Sequence, residues 1–364
     1  MQETKIVRIH DNASADLLRQ ASDYLRKGGL VVFPTETVYG LGANALSEKA
    51  VSGIFRVKGR PADNPLIVHV SDYDQLSAVV DSVPDTAEKL MKKFWPGPLS
   101  LVMRKSRLIP CNVTGGLETV SVRMPSARVA QTLIAYAGVP VAAPSANLSG
   151  MPSITEASQA IMELSGLVDF IIDGGRSEIG LESTVLDVTR DIPRILRPGA
   201  VTVEQLMSFI GDVEVHPAVL QSAPVEGTAP SPGMKHRHYS PSNAVLLLVE
   251  PGEDVDERMD EMLKKTRSMG LKVCAMVSDE CGITGGNVVR IGSRNDLATV
   301  GSNLFRTIRE ADSARFDVIV AEGFSERGIG LAVMNRLRRA SVAFDDFLKI
   351  RAGKNPEALS RKAR

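Results

Sequence analysis

Short apolar runs alternate with amphipathic helical segments along most of the chain, and this alternation constrains the fold more than any other feature. Runs rich in β-branched residues occur at residues 30–33, 66–70, 99–103, 119–123, 139–142, 170–172, 184–188 and 195–197. Helical patterns lie between several of them, at residues 13–27, 86–94, 128–137 and 156–164. This order of elements is typical of an α/β or α+β domain built around a twisted, open, mixed sheet.

The alternation stops at about residue 211 and resumes near residue 244. Between them lies a segment rich in Pro, Ser and Gly with little apolar periodicity. The later apolar runs are nearly continuous, as in strands that are buried on both faces, so they predict a smaller, parallel, Rossmann-like sheet. We therefore predict a catalytic α/β domain at 1–211, a long linker at 212–243 and a second α/β domain at 244–364.

Charge and cysteine content exclude several classes of protein. Lys plus Arg and Asp plus Glu number 43 each, so the chain as a whole has no electrostatic attraction to nucleic acid or membranes. We find no secretory signal and no apolar run long enough to span a bilayer. The three cysteines, Cys111, Cys274 and Cys281, form no CxxC pair, which argues against a cysteine zinc site and fits a reducing cytoplasm.

The segment KGRPADNPLIVHV, at residues 58–70, is the main candidate for an anion site. Arg56, Lys58 and Arg60 alternate in sequence, and in an extended backbone all three would point to one side. Such a cluster is either a solvated edge or a polyphosphate site. Asn64 adds amide hydrogen-bonding groups, and His69 follows within an apolar run, as a structural residue or as a ligand-binding one.

Other polar residues follow predicted strands of the first domain. They lie in PTETVYGLGANA (34–45), PSANLSG (144–150), LESTVLDVT (181–189) and ILRPGA (195–200). Arg123, at the end of the run in VRMP (122–125), suits a carboxylate because its planar fork donates two parallel hydrogen bonds. Several Ser, Thr, Asn and Arg residues at strand ends of one domain predict a shared pocket.

The predicted linker contains a second basic cluster, PGMKHRHYSP at residues 232–241. This cluster is either a solvated loop or a lid that closes over a nucleotide, with Tyr239 contacting the ligand. The motifs GxSxG, GxxxxGK[ST] and HExxH do not occur. We therefore expect phosphoryl-centre chemistry that depends on positioning and electrostatics and uses no covalent protein nucleophile.

In this order, these motifs resemble the threonylcarbamoyl-AMP synthase family. The first domain resembles its YrdC-like core, and the total length is similar to the long subfamily with a C-terminal extension. The resemblance implies a twisted open sheet with a positively charged cavity. It implies catalytic roles for Lys58 and Arg60, and it assigns ATP to Lys58, Arg60, Asn64, Thr119, Ala143, Asn147, Ser153, Arg197 and Tyr239.

The same resemblance assigns the substrate L-threonine to either Thr35 or Thr37, and to His69, Arg123, Ser145 and Ser183, with Arg123 pairing its carboxylate. The implied reaction joins L-threonine, bicarbonate and ATP into threonylcarbamoyl-AMP and pyrophosphate. Magnesium is expected with ATP, bound through phosphates and water, and no protein metal site is expected. The implied partner is a tRNA-modifying complex that receives the product, while direct tRNA binding would be weak.

Three competing hypotheses remain. An RNA-binding protein would use the same basic concavity, although net neutrality and few aromatic residues count against it. A carbamoyl-transfer maturation factor on the same core would be expected to carry zinc-binding CxxC pairs. The C-terminal domain could be an independent nucleotide-binding regulator, but no phosphate-binding loop opens its first helix.

Overall fold

The computed structural model describes residues 3–9, 15–220, 231 and 238–352. Strands and helices alternate along these residues, as the sequence predicts. The described residues divide into two units. The first comprises those in Met1–Ser149 and Ser153–His236, and the second those in Gly150–Pro152 and Arg237–Arg364. Within the described ranges, no helix is both long enough and apolar enough to cross a membrane.

The first unit is built from both helices and strands, beginning with a strand near the N-terminal end of the described residues. In chain order they are β1 (Lys5–Arg8), α1 (Ala15–Arg26), β2 (Val31–Phe33), β3 (Gly40–Asn44), α2 (Glu48–Lys58), β4 (Ile67–His69), α3 (Tyr73–Val79), α4 (Asp85–Phe94), β5 (Leu99–Arg104), α5 (Cys111–Thr114), β6 (Thr119–Arg123), α6 (Arg128–Ala137), β7 (Val141–Ala142), α7 (Ala157–Leu164), β8 (Phe170–Asp173), β9 (Thr184–Asp187), β10 (Arg194–Arg197), α8 (Val203–Ile210), β11 (Glu214–Val215) and α9 (Pro217–Leu220).

Local capping explains where several of these helices begin and end. α2 begins after Ser47, whose hydroxyl accepts a hydrogen bond from the main-chain N–H of Ala50 at 3.3 Å. It ends before Gly59, which adopts the left-handed conformation (φ 59°) that favours glycine. α8 begins with a capping box, in which the side chains of Thr202 and Gln205 each accept a hydrogen bond from the other's main-chain N–H.

Among the described residues, eleven strands of the first unit form one mixed sheet in the order β1-β8-β2-β3-β7-β4-β6-β5-β9-β10-β11. β4 runs parallel to β6 and antiparallel to β7, and β5 runs antiparallel to β6 and parallel to β9. This arrangement confirms the predicted mixed sheet. The central strands β4, β6 and β5 therefore lie side by side.

The two faces of this sheet are covered differently. A large apolar core that includes residues of α2, α3, α4, α7 and α8 covers one face along most of its length. On the other face, α1 and α6 pack over β2, β7 and β8. A smaller cluster follows towards β9 and β10, where Ala218 of α9 packs with Val185 and Leu196. The central strands β4 and β5 contribute Ile67 and Val102 to this smaller cluster.

The first unit continues beyond Gly211, where we placed its boundary. β11 pairs with β10 in parallel, with Arg194 opposite Glu214, and the side chains of these two residues form an ion pair. α9 follows directly and contributes to the smaller apolar cluster. Residues 221–230 and 232–237 of the predicted linker lie outside the described residues.

The second unit has a smaller sheet with helices on it. Its elements are β12 (Val245–Val249), α10 (Val255–Ser268), β13 (Val273–Val277), β14 (Val288–Arg290), α11 (Leu297–Ser313), β15 (Val318–Glu322), α12 (Gly330–Ala340) and α13 (Phe344–Arg351). Across the described part of this unit, the strands are ordered β12-β15-β13-β14 and all pairs are parallel. Every residue of β13 and β15 is buried, as expected for continuous apolar runs, and the predicted Rossmann-like sheet is confirmed.

Candidate active site

Polar side chains occupy the central part of the second face of the large sheet. Along β6, Thr119, Ser121 and Arg123 project to this face, while the valines between them belong to the large core on the opposite face. Val102 of β5 is the register partner of Ser121, so β5 presents alternate residues to the same face.

Neighbouring strands extend this polar surface. His69 of β4 is the register partner of Arg123. On the other side, Ser100 of β5 and Arg197 of β10 are both register partners of Val185. Because register partners project to the same face, six polar residues share it. We call them the polar strip: His69, Ser100, Thr119, Ser121, Arg123 and Arg197.

Arg123 forms the centre of a buried hydrogen-bonded group. Its Nη2 donates to Glu36 Oε2 at 2.9 Å, and its Nη1 donates to Thr37 Oγ1 at 2.8 Å. Thr35 Oγ1 and Thr37 Oγ1 share a further hydrogen bond at 2.8 Å, and Thr35 Oγ1 also donates to the carbonyl of Val38 at 2.6 Å. The segment after β2 is thus held over the sheet by the guanidinium at the end of β6.

The Glu36–Arg123 ion pair is almost fully enclosed, with Glu36 6% and Arg123 3% exposed. Burial lowers the pKa of Arg123, and the neighbouring Glu36 charge raises it in compensation. A guanidinium stays charged under these conditions, so Arg123 keeps its positive charge inside the site. Within the described residues, Glu36 Oε1 and Arg123 Nε make no hydrogen bond.

His69 lies beside this pair as a neutral imidazole. Burial is the main cause that lowers its pKa from 6.5 to about 3, and the positive charges of Arg123 and Arg197 lower it further. Its ring stands perpendicular to that of Phe33, with centroids 6.3 Å apart. Its Nδ1 is buried and has no hydrogen-bond partner in the described part of the chain. His69 can therefore offer a ligand a hydrogen bond without adding a charge.

Arg197 and Ser183 form a second buried group, on the β9 and β10 side. Arg197 donates to Ser183 through Nε to the carbonyl at 3.0 Å and through Nη2 to the hydroxyl at 3.1 Å. The hydroxyls of Ser183 and Ser100 are 2.7 Å apart, and either could be the donor. The structure therefore brings the two predicted residues together and adds Ser100, which the sequence analysis missed.

Lys58 is buried at the end of α2, contrary to the extended arrangement that we expected for the basic cluster. Because α2 continues to Lys58, Arg56 and Lys58 point to roughly opposite sides of the helix. Arg56 is exposed, whereas Lys58 is 3% exposed. The expected convergence of three cations on one side is wrong for Arg56. Lys58 Nζ donates to the main-chain carbonyls of Ser145, at 2.5 Å, and Asn147.

Arg60 stabilises the loop that leads from α2 into β4. Its Nε donates to the carbonyl of Asn64 at 3.1 Å and its Nη2 to that of Pro65 at 2.8 Å. The Asn64 side chain is buried, and its Oδ1 makes no hydrogen bond within the described residues. Arg60 is half-buried, so one part of its guanidinium holds the loop while another part lies near the surface.

The remaining predicted residues of this unit lie next to these groups. Ala143 donates its N–H to the carbonyl of Ile67 at the start of β4, at 2.9 Å. Ser145 pairs with Gly40 in an isolated bridge beside β3. The loop that Lys58 holds therefore lies beside the start of β4.

Two further predicted ATP residues are described within the first unit. The Asn147 side chain donates to the carbonyl of Leu148 at 2.7 Å. Ser153 is fully buried, and its hydroxyl donates to Glu182 Oε1. Both residues thus lie in ordered, hydrogen-bonded segments near the strand ends.

Tyr239 belongs to the second unit. Its ring is buried and lies 5.1 Å from the ring of Phe305, at an interplanar angle of 32°. Its backbone is left-handed, with φ 66°, an uncommon conformation for a residue other than glycine. Lys235, His236 and Arg237 of the predicted basic cluster lie outside the described residues.

The carboxyl ends of the strands in the second unit, where open α/β sheets usually bind ligands, carry a network of charges. Glu322 ends β15, is fully buried, and accepts hydrogen bonds from the main-chain N–H and the hydroxyl of Ser278. Arg294 pairs with Glu322 at 2.5 Å and also with Asp256. This cluster is held together by its own side chains.

Ser100 and Ser121 are not among the residues predicted from the sequence, and Glu36, which lies in the candidate segment PTETVYGLGANA, has no role assigned from the sequence. A usable signal existed for Glu36: it is an acid in a segment that follows a buried strand, and a buried Arg123 requires a counter-charge. Ser100 and Ser121 would have followed from alternation once their strands were known to pair. Among the described residues, no group of three or more His, Cys, Asp and Glu side chains could hold a metal ion.

Family comparisons match both units. A family described as "Telomere recombination", covering Sua5, YciO and YrdC proteins, matches residues 23–199. A family described as "Threonylcarbamoyl-AMP synthase, C-terminal domain" matches residues 201–342. The second match begins within the first unit, because α8, β11 and α9 lie in residues 201–342, and it extends through most of the second unit.

Two relatives that this chain matches over most of their length are both named threonylcarbamoyl-AMP synthase. The threonylcarbamoyl-AMP synthase of Pyrococcus abyssi is 46% identical over 338 residues, which are 93% of this chain and 98% of the relative. That of Bacillus subtilis is 43% identical and covers 89% of this chain and 92% of the relative. A crystal structure of P. abyssi Sua5 complexed with L-threonine aligns with a TM-score of 0.88 at 46% identity, covering 93% of this chain and 98% of that one.

Proposed function

The chain belongs to the threonylcarbamoyl-AMP synthase family, and we propose that it makes threonylcarbamoyl-AMP and pyrophosphate from L-threonine, bicarbonate and ATP. The observation that carries this function is the full-length match to synthases of this name, together with the Sua5 structure that contains L-threonine. In this chain, the buried Glu36–Arg123 pair on the polar strip supplies charges that suit an amino acid.

We propose that L-threonine binds around Arg123. The carboxylate would pair with the guanidinium, whose orientation is fixed by its hydrogen bonds to Glu36 and Thr37. His69 would position the substrate as a neutral hydrogen-bonding group, since its pKa of about 3 keeps it uncharged near neutral pH. The full proposed set is Thr35, Thr37, His69, Arg123, Ser145 and Ser183.

We propose that ATP lies next to this site, towards the end of α2. The residues proposed to bind it are Lys58, Arg60, Asn64, Thr119, Ala143, Asn147, Ser153, Arg197 and Tyr239. The position of Thr119 supports this arrangement, because it projects from β6 to the same face as Arg123 and lies two side-chain positions away. Magnesium would enter with ATP, held by its phosphates and water, as is usual for this ion.

The reaction begins with bicarbonate, which takes up a proton and loses water to give carbon dioxide. The ammonium group of threonine loses two protons in all as its nitrogen bonds to the carbon of carbon dioxide, which forms an N-carboxylate. An oxygen of that carboxylate then attacks the α-phosphorus, and the bond from this phosphorus to the bridging oxygen of pyrophosphate breaks. Negative charge accumulates on the leaving pyrophosphate. Lys58 and Arg60 would stabilise that charge, with Lys58 also holding the loop at Ser145 and Asn147.

We also propose a cellular context. The product would pass to a complex that modifies tRNA adenosine, because a mixed carbamoyl–phosphate anhydride is an activated donor that needs an acceptor. A reducing, cytoplasmic location fits the three cysteines, all of which are free: Cys111 is exposed, and Cys274 and Cys281 are buried. The predicted lid role of the linker belongs to the same proposal, with Tyr239 as its ATP-binding residue.

A pyrophosphate-release assay tests the proposed function. Purified protein with ATP and bicarbonate should release pyrophosphate only when L-threonine is added, and Arg60→Ala should abolish the release. Arg56→Ala is the matched control, because Arg56 is an exposed cation near the same helix end and should leave turnover unchanged. Equal release with L-serine or without an amino acid would refute the threonine assignment, and tight tRNA binding without such release would favour an RNA-binding function.

A further inference from the structure

The Glu36–Arg123 ion pair has two atoms whose hydrogen-bonding capacity is unused. Arg123 donates from Nη1 to Thr37 and from Nη2 to Glu36 Oε2. Its Nε and the second carboxylate oxygen, Glu36 Oε1, are buried and make no hydrogen bond within the described residues. The main-chain N–H of Ala127 reaches Glu36 at 3.4 Å, but it binds Oε2, the oxygen that Arg123 already uses.

Such atoms are costly in a folded protein. A buried donor or acceptor without a partner destabilises the folded state, and it does so more strongly when it is charged. Folded proteins therefore rarely keep them, and those that occur call for a functional explanation. Here a charged donor and a charged acceptor belong to one ion pair in the polar strip. A ligand that satisfied both would carry a negative and a positive group close together.

A free α-amino acid has this pattern of charge. Its carboxylate complements the Arg123 guanidinium, and its ammonium group complements the Glu36 carboxylate. Two neighbours of the pair add no charge: His69 is neutral, and Ser121, on the same face as Arg123, is uncharged. Arg197, also in the polar strip, donates hydrogen bonds to Ser183. A site that contained Arg123 without Glu36 would instead favour any small carboxylate, including those without an amino group.

We propose that Glu36 binds the amino group of the substrate through Oε1 while its Oε2 fixes Arg123 for the carboxylate. Glu36 is then the residue that distinguishes a free amino acid from the corresponding hydroxy or unsubstituted acid. The identity of that amino acid as L-threonine rests on the proposed function. The binding of the amino group to Glu36 rests on the geometry of the ion pair.

Isothermal titration calorimetry on the full-length protein tests this assignment, with L-threonine and with 3-hydroxybutanoate, which lacks the amino group. The wild type should bind L-threonine at least about 10-fold more tightly, because a charge-assisted hydrogen bond contributes about 1.5–3 kcal/mol. In Glu36→Gln, an amide oxygen can still accept from Arg123. Binding of L-threonine should weaken about 10-fold or more, while that of 3-hydroxybutanoate changes less than about 3-fold.

Glu322→Gln is the matched control, because Glu322 is also a buried carboxylate paired with an arginine but lies in the second unit. It should leave the ratio of the two affinities unchanged. If Glu36→Gln does not fold, Glu36→Asp keeps the charge one methylene further back and should reduce the ratio only in part.

Several outcomes would overturn the assignment. An unchanged ratio in Glu36→Gln, or an equal loss for both ligands, would show that Glu36 acts only by holding Arg123. If the wild type then still released pyrophosphate with L-threonine, the proposed function would stand without this inference. Conversely, binding of a different free amino acid with the same dependence on Glu36 would support the inference and refute the threonine-specific function.

Discussion

Acidification should destabilise the first unit through His69. In the folded protein His69 is buried beside the positive charges of Arg123 and Arg197, and its pKa is lowered from 6.5 to about 3. In the unfolded chain the same imidazole is solvated and takes up a proton near pH 6.5. Between these two pH values the unfolded state therefore binds one more proton at His69 than the folded state does.

The magnitude follows from this difference in proton binding. Stability rises with pH wherever the unfolded state binds more protons, so the contribution of neutral His69 is complete above about pH 6.5 and is lost as the pH falls. One pH unit in this window corresponds to about 1.4 kcal/mol, so lowering the pH from 7 to 5 should reduce the free energy of unfolding by about 2 kcal/mol through His69. The loss continues until His69 becomes protonated in the folded state, near pH 3.

Urea unfolding followed by tryptophan fluorescence measures this effect. Trp95 is the single tryptophan of the sequence and is buried in the first unit, so its emission reports on the unit that contains His69. Carboxylates and other histidines also titrate, so the useful quantity is the difference between the wild type and His69→Asn. The variant should lack about 2 kcal/mol of the loss seen between pH 7 and pH 5. Identical losses in both proteins would refute the argument.

Two further predictions concern stability. Lys58→Met should reduce the free energy of unfolding by about 2–4 kcal/mol, because the carbonyls of Ser145 and Asn147 lose their charged donor. In the same urea assay, the control Arg56→Met, at an exposed position, should change the free energy of unfolding by less than about 0.5 kcal/mol. Gly199→Ala should lower the free energy of unfolding by about 3 kcal/mol or more, because the new Cβ would lie 2.3 Å from the main-chain nitrogen of Thr184. In the control Gly282→Ala the new Cβ would meet no atom within 4 Å, so thermal denaturation should show little change.

The fold could be predicted largely from apolar patterning. The run at 119–123 is β6 with the same bounds, and the continuous runs of the second region are parallel strands. Apolar patterning does not predict elements whose sequences lack strong strand formers. β3 has the sequence GLGAN, which is poor in β-branched residues, and it forms a strand because it pairs with β2 and β7. Tertiary pairing there overrides local propensity.

The helix α2 was missed for a different reason. The alternation of Arg56, Lys58 and Arg60 suggests an extended backbone, whereas the capping residues on either side, Ser47 and Gly59, indicate a helix. A helix that ends at Lys58 buries this side chain and exposes Arg56. The error concerns the direction of the side chains, and the roles of Lys58 and Arg60 in the site stay a prediction.

The sequence predicts a set of candidate site residues, whose roles stay a prediction, but it does not specify their contacts. Arg123 was expected to bind a carboxylate, and its side chain is already held by Glu36 and Thr37. This pairing depends on how the segment after β2 crosses the sheet, and no local pattern in sequence specifies that path. The contact of Arg197 with Ser183 likewise depends on the register of β9 and β10.

The most direct test of the central claim is to identify the product by mass spectrometry after a rapid quench. The protein should be incubated with ATP, magnesium and ¹³C-labelled bicarbonate, with and without L-threonine. A threonine-dependent adduct of AMP that carries one ¹³C atom and forms together with pyrophosphate is the predicted result. Unlabelled AMP without an adduct, or ADP and phosphate in place of pyrophosphate, would contradict the proposed reaction.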